Sequence, residues 1–230
     1  LEGCIVYNDT DSSYVSITPL VSKGLNFLDG DEIHQDTHDK IQEIEDYLNK
    51  GVCDWAKKSL LSKDSRFVFK RECIADVGVF LQKKRYVMHI LDDEGIKENK
   101  FKYTGVEVVR TTMPNAIKPY AKKIIETMLS TQSLSQTNKL LNETYDIFKE
   151  LKPEELAFVM GVKGYEKYAT ACNEFTTVKS MPIHVKSAYF YNLLLDKFNT
   201  GNKYESLGSG DKVRYMYVER PNKYGLDSIG

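Results

Sequence analysis

Two aspartates one residue apart, Asp9 and Asp11, stand in the stretch Tyr7-Asn8-Asp9-Thr10-Asp11-Ser12. Carboxylates this close repel each other, and a bound divalent cation would relieve that cost. The flanking residues indicate what presents them. Cys4-Ile5-Val6-Tyr7 is a short apolar run and Ser13-Tyr14-Val15-Ser16-Ile17 alternates, so the stretch predicts a β-hairpin with both acids at its tip. If the second strand begins at Asp11, that residue shares a face with Ser13, Val15 and Ile17. The same spacing also describes a polar turn whose aspartates hydrogen-bond their own backbone. A second pattern of ligand type, His34 and His38 with Asp39 beside them, has no third ligand at useful spacing and reads as the solvated face of an acidic helix.

The remaining pattern is that of an α+β chain. Pro19 to Gly30 reads as a connection. A helix is expected from about Asp36 towards Lys50, with Ile41, Ile44 and Leu48 on one face and Gly51 as its stop, then a second helical stretch from Val52 to Leu61. Strands are expected at Phe67–Phe69, Glu72–Ile74, Arg85–Leu91 and Phe101–Tyr103, in a sheet that joins the first hairpin, with Asp92-Asp93-Glu94-Gly95 as a turn. Beyond Gly105 the periodicity becomes helical: Pro114–Leu129, where Pro119 either kinks the helix or delays its start, Leu134–Leu151, and Ile183–Phe198 closed by Gly201. Lys212–Glu219 alternates like a strand.

A chain of 230 residues, 41% hydrophobic and 28% charged, has room for one large domain or two modest ones. No apolar run approaches the length of a membrane span; the run from Ala188 to Leu195 is already broken by Asn192. The opening Leu1-Glu2-Gly3 carries no signal peptide and reads as a cut end. Cys4, Cys53, Cys73 and Cys172 are scattered, which predicts neither a zinc site nor a disulfide framework and makes a reducing cytoplasm the default. The net charge of −1 hides an asymmetry: residues 31–50 carry seven acids against two bases, and residues 83–123 ten bases against five acids. A basic face of this kind is compatible with a phosphate-bearing partner.

The Asp9–Ser12 string resembles the D-T-D-S signature, usually Y-G-D-T-D-S, of family B DNA polymerases of the T-even-like bacteriophage type. Asn8 stands where that family has Gly, and Asn tolerates the positive φ of a tight turn. Two longer stretches extend the resemblance. Phe69-Lys70-Arg71-Glu72-Cys73-Ile74-Ala75, followed by Lys83-Lys84-Arg85-Tyr86, is similar to the palm's R-E-x-I-A strand and K-K-R-Y motif. Gly105-Val106-Glu107-Val108-Val109-Arg110-Thr111-Thr112-Met113-Pro114 is similar to the G-x-E-x-x-K-S-S-x-P entry into the thumb, and Met181-Pro182-Ile183-His184-Val185-Lys186 to the thumb's P-F-H-I-R segment.

The resemblance implies a function residue by residue. Asp11 and Asp9 are its catalytic, metal-site acids: Asp11 holds two magnesium ions that polarise the primer hydroxyl and neutralise the triphosphate, and Asp9 lies beside them and orients a contact at the primer terminus. Lys84 reaches minor-groove acceptors of the terminal base pair, which are nearly the same for every pair, with Lys83, Arg85 and Tyr86 around it on the duplex. Taken alone, K-K-R-Y is also a solvated basic turn. Glu72 is an auxiliary carboxylate or the partner of Arg71 or Lys70. Arg110, Thr111 and Thr112 before a helix form a phosphate grip, or Thr112 caps that helix. His184 and Lys186 are backbone contacts or ordinary surface residues.

The resemblance runs from residue 4 to about residue 225. The family's D-x-x-S-L-Y-P aspartate, its K-x-x-x-N-S-x-Y-G fingers helix and its exonuclease region have no counterpart in these residues. The implied architecture is a partial antiparallel β palm in residues 1–105 followed by a mostly helical thumb, incomplete at its C-terminus, in 106–230. Such a piece needs a complementary half with the exonuclease, the first part of the palm and the fingers before it can join a deoxynucleoside triphosphate to primer–template DNA. A non-catalytic duplex-binding module or accessory subunit is the alternative.

Overall fold

Alternating and apolar runs at the start of the chain and helical periodicity towards its end produce an α+β fold. The computed structural model describes residues 3–63, 66–174, 176–219 and 228–229, so part of the resemblance beyond residue 219 lies outside the described residues. The chain divides into two units, Leu1–Val106 and Glu107–Gly230.

In the first unit the order is β1 (Ile5–Asp9), β2 (Ser12–Val15), α1 (Thr18–Val21), β3 (Leu28–Asp29), β4 (Glu32–Ile33), α2 (Gln35–Ser59), β5 (Cys73–Gln82), β6 (Arg85–Asp93) and β7 (Ile96–Thr104). All pairings are antiparallel, β1 with β2, β3 with β4, and β5-β6-β7 as a meander. Contrary to the sequence expectation, the first hairpin does not pair with the meander as part of one sheet. It packs on its face instead, with Tyr7 and Tyr14 against Phe80, Tyr86, Met88 and Ile90.

Two sequence expectations are corrected here. Gly51 does not stop a helix: α2 runs 25 residues straight through it. A mid-helix glycine costs about 1 kcal/mol against alanine. A local cap and a tertiary bond work against that cost: His34 accepts from the amide of Asp36 as N-cap, and Glu45, in mid-helix, accepts from the amide of Arg71 at 2.7 Å. Residues 67–69 form no strand. The Asn49 side chain donates to the Phe69 carbonyl at 2.8 Å and accepts from its amide at 2.7 Å, so a side chain does the work of a strand partner.

The second unit holds a 3₁₀ turn (Glu107–Val109), α3 (Lys118–Thr131), α4 (Leu134–Glu150), α5 (Pro153–Leu156), β8 (Phe158–Gly161), α6 (Tyr165–Ala169), α7 (Ile183–Lys197), β9 (Lys212–Tyr217) and β10 (Ser228–Ile229). Pro119 sits in the first turn of α3, so it delays the helix rather than kinking it. Gln132, at φ +48, ends α3, and Ser133 caps α4 by accepting from the amide of Gln136. The left-handed residue after α7 is Asn199 at φ +51, and Thr200 donates to the Leu195 carbonyl; Gly201 lies beyond the stop. The core is the face of α7 carrying Val185, Ala188, Tyr189 and Phe190, packed with Val162, Met181, Val213 and Tyr215.

Candidate functional site

The hairpin tip forms as the turn residues dictate, with one change. β2 begins at Ser12, paired with Asp9, so Thr10 and Asp11 are the two-residue loop and Asp11 does not share a strand face with Ser13. Asn8 lies in β1 opposite Ser13 and is not among the residues of positive φ, so standing in for glycine asks nothing unusual of it. Asp9 is the last strand residue and half-buried; Asp11 is exposed.

A second turn meets this tip. β5 continues through residues 76–82, beyond the strand expected at 72–74, and the alternation of Val77, Val79 and Leu81 is its signal in the sequence. That strand places Lys83 and Lys84 in the loop before β6. Lys84 adopts φ +60, a conformation this kind of hairpin turn requires and that a lysine adopts only when held there. Its amide donates to the Tyr7 hydroxyl at 2.8 Å, across 77 residues of chain, and its ammonium lies 3.3 Å from Asp9 Oδ1. Tyr7 and Thr10 hydroxyls also face Asp9, at 3.4 and 3.2 Å.

Beneath this pairing is a cluster of four rings, Tyr7, Tyr14, Phe80 and Tyr86, with neighbouring centroids 5.3–5.9 Å apart. Tyr86 is only 7% exposed, and its hydroxyl pairs with that of Tyr14 at 2.6 Å. It supports the turn from below and does not face solvent as a duplex contact would. Burial, then the Tyr86 hydroxyl, push the Tyr14 phenol well above its ordinary value. Arg85 reaches the Gln82 amide oxygen at 2.9 and 3.0 Å, bracing the same turn. Lys83 is exposed. The tyrosines flanking the acidic string on both sides were the sequence signal for this support.

Partial burial of Asp9 opposes its ionisation, but Lys84 and the two hydroxyls outweigh that and hold its carboxyl below the usual aspartate value. Its charge is therefore already matched. Asp11 has no hydrogen-bond or ion-pair partner among the described residues. The described residues contain no group of three His, Cys, Asp or Glu side chains able to hold a metal ion. Magnesium requires six near-octahedral ligands. The donors at this tip therefore do not by themselves fit a two-magnesium centre among the described residues, and of its two acids Asp11 is the one left open.

Glu72 is exposed and accepts from Lys102 at 2.8 Å, not from Arg71 or Lys70. Arg71 is spent on the buried Asp92, which also accepts from the amide of Gly95 at 2.9 Å and so anchors the β6–β7 turn. The basic excess after residue 83 is likewise largely matched. Lys97 pairs with Glu32, Lys100 with Asp93 and Glu98, and Arg110 with Glu107.

The other expected residues belong to the second unit. Thr111 is exposed and Thr112 half-buried in a turn; α3 begins only at Lys118, so Thr112 does not cap it. The Thr112 carbonyl instead accepts from Val159 of β8 at 3.5 Å. β8 pairs with β9, whose Tyr215 ring lies 6.5 Å from that of His184 in the first turn of α7. Burial lowers the His184 pKa. Lys186 stands over the Phe190 ring at 5.5 Å.

Sequence comparison supports a polymerase-related function for this α+β chain. The chain is similar to the DNA-directed DNA polymerase of Escherichia phage RB69, 25% identical over 246 residues, covering 97% of this chain and 25% of that polymerase. It thus spans about a quarter of the length of the curated relative it matches. No family model matches it. No helix among the described residues is long and apolar enough to cross a membrane.

Proposed function

We propose that this chain is the palm-and-thumb part of a replicative DNA-directed DNA polymerase of the family B type, with residues 1–105 contributing to the palm and 106–230 to the thumb. The observation that carries the reading is the meeting of two stretches far apart in the sequence, the D-T-D-S hairpin and the K-K-R-Y turn, with Lys84 beside Asp9. In this reading Asp9 anchors Lys84. The ion pair and the Tyr7 hydroxyl aim the ammonium at the minor-groove edge of the terminal primer–template pair, where it tests pairing geometry on every sequence. Lys83 and Arg85 flank it on the phosphates, and Arg110, Thr111, Thr112, His184 and Lys186 grip the duplex backbone from the second unit.

Asp11 is this chain's contribution to a magnesium site whose other ligands come from the complementary half. When bound there, the ions would polarise the primer hydroxyl and neutralise charge on the deoxynucleoside triphosphate. Glu72, held by Lys102, acts through the field around that site. The chain alone incorporates no nucleotide, and the assembled enzyme works in the cytoplasm of a host cell.

Single-turnover incorporation alongside equilibrium duplex binding, with the complementary half present, tests this. Asp11→Asn abolishes turnover and leaves duplex affinity nearly unchanged. Lys84→Ala weakens primer placement on all sequences by about 1–3 kcal/mol, as expected when a charged donor is lost. Asp9→Asn falls between the two, because it releases Lys84 without removing it. Retained turnover in Asp11→Asn, or extension by the chain alone, would overturn the assignment.

A further inference from the structure

Most of the unmatched bases of the first unit fall in one stretch of sequence outside the K-K-R-Y turn. Residues 57–71 carry six bases against one acid. Arg71 is spent on Asp92. Lys57, Lys58, Lys63, Arg66 and Lys70 are all exposed, and none has an ion-pair partner among the described residues. Lys57 and Lys58 stand in the last turn of α2, where a base also complements the helix dipole. Lys63, Arg66 and Lys70 lie beyond the helix and have no such use. After α2 the chain turns back along the helix. Phe67 meets the Trp55 ring edge to face with centroids 6.3 Å apart, Asn49 brackets Phe69, and Glu45 takes the amide of Arg71. The returning segment is thus pinned at three places, and it carries Arg66 and Lys70 to either side of Phe67. Both rings stay open to solvent, Trp55 50% and Phe67 56% exposed. Asp54 is the one acid in the last two turns of the helix.

We propose that this surface binds single-stranded nucleic acid, with bases stacking on Trp55 and Phe67 and phosphates held by Lys57, Lys58, Lys63, Arg66 and Lys70. The unmatched positive charge selects a polyanion, because each phosphate it meets releases a bound counterion. The rings select an unpaired strand. A duplex keeps its base faces stacked inside, whereas a single strand offers them to aromatic side chains whatever its sequence. Exposed rings set among unpaired bases of one sign are the combination that single-strand grooves use. The inference goes beyond the polymerase reading, which concerns duplex at Lys84, and does not depend on it.

Trp55 is the one tryptophan of the chain, so its fluorescence reports a stacked base without any label. Oligothymidylate of about a dozen nucleotides, within the site size of single-strand grooves, quenches that fluorescence, with an affinity that falls as salt rises. Phe67→Leu weakens binding by about fivefold or more, the lower end of what one stacked base contributes. Lys58→Gln and Arg66→Gln each reduce the slope of log affinity against log salt by about 0.7. Lys97→Ala, whose ammonium is matched to Glu32, leaves that slope unchanged. Circular dichroism equal to the parent's verifies that each variant is folded. Equal affinity for blunt duplex of the same length overturns the proposal in favour of a general polyanion surface. A Trp55 response to phosphatidylserine vesicles but not to oligothymidylate overturns it in favour of a lipid surface. Quenching that Phe67→Leu and Arg66→Gln leave unaltered places the strand elsewhere and overturns it too. Unquenched Trp55 in a chain whose duplex binding still depends on Lys83 overturns the surface and leaves the polymerase reading intact.

Discussion

A Cβ on Gly105 would lie 2.0 Å from the carbonyl oxygen of Lys84. Two demands therefore meet at one glycine: its own φ of +61 and the close passage of the turn that carries Lys84. The glycine opening the stretch similar to the thumb entry serves, in this structure, the basic turn of its own unit, Leu1–Val106. Gly105→Ala is expected to cost about 1–3 kcal/mol from the left-handed backbone alone, with the clash added. Thermal denaturation would show it as a drop of roughly 4–8 °C per kcal/mol for a unit of this size. A melting temperature equal to the parent's would show that the Lys84 turn can move aside freely.

The paired hydroxyls of Tyr14 and Tyr86 give a second prediction. Tyr14→Phe leaves the Tyr86 hydroxyl, in a side chain 7% exposed, without its partner, at a cost of about 1–3 kcal/mol. Replacing both by Phe removes the orphaned group together with its partner and recovers much of that loss. Denaturant melts of the two single variants and the double variant form the cycle. A double variant as unstable as the sum of the singles would contradict the pairing.

Acid titration tests the Lys84–Asp9 pair. The Asp9 carboxyl titrates below the ordinary value of 3.8 in the folded chain. Its contribution to stability is therefore complete above that ordinary value and is lost as pH falls through the lower, folded one. Carboxyl ¹³C NMR should place the Asp9 midpoint below 3.8, and Lys84→Ala should bring it upward, because partial burial then acts unopposed by the ammonium. A midpoint indifferent to Lys84→Ala would mean that the pair does not form in solution.

Salt dependence separates matched from open lysines. Each phosphate contact adds about 0.9 to the slope of log affinity against log salt. Lys83→Ala should reduce that slope by about one for primer–template duplex. Lys97→Ala, whose ammonium is already held by Glu32 at 2.7 Å, should leave it nearly unchanged. The reverse order would assign the duplex to the β7 edge.

Local chemistry was legible in the sequence wherever neighbours along the chain decide it. The acidic hairpin follows from residues within a few positions, although its turn falls at Thr10-Asp11 with the second strand beginning at Ser12, and Pro119 marks the first turn of α3. The α+β class and the helical stretches at residues 134–150 and 183–197 follow as well, because periodicity reports which face is buried. Periodicity does not report what covers that face. Only the tertiary structure brought Lys84 to Asp9 and buried Tyr86 beneath them. It also matched Lys97, Lys100 and Lys102 to acids, three of them drawn from elsewhere in the chain or across the sheet, so a basic stretch of sequence did not become an open basic face. Gly51 shows the same division. Its type announced a stop, but α2 runs through it, bonded through Glu45 and Asn49 to residues 26 and 20 positions further along the chain. Charge, burial and helix length depend on partners that the chain brings close only by folding, and no window of the sequence contains both members of such a pair.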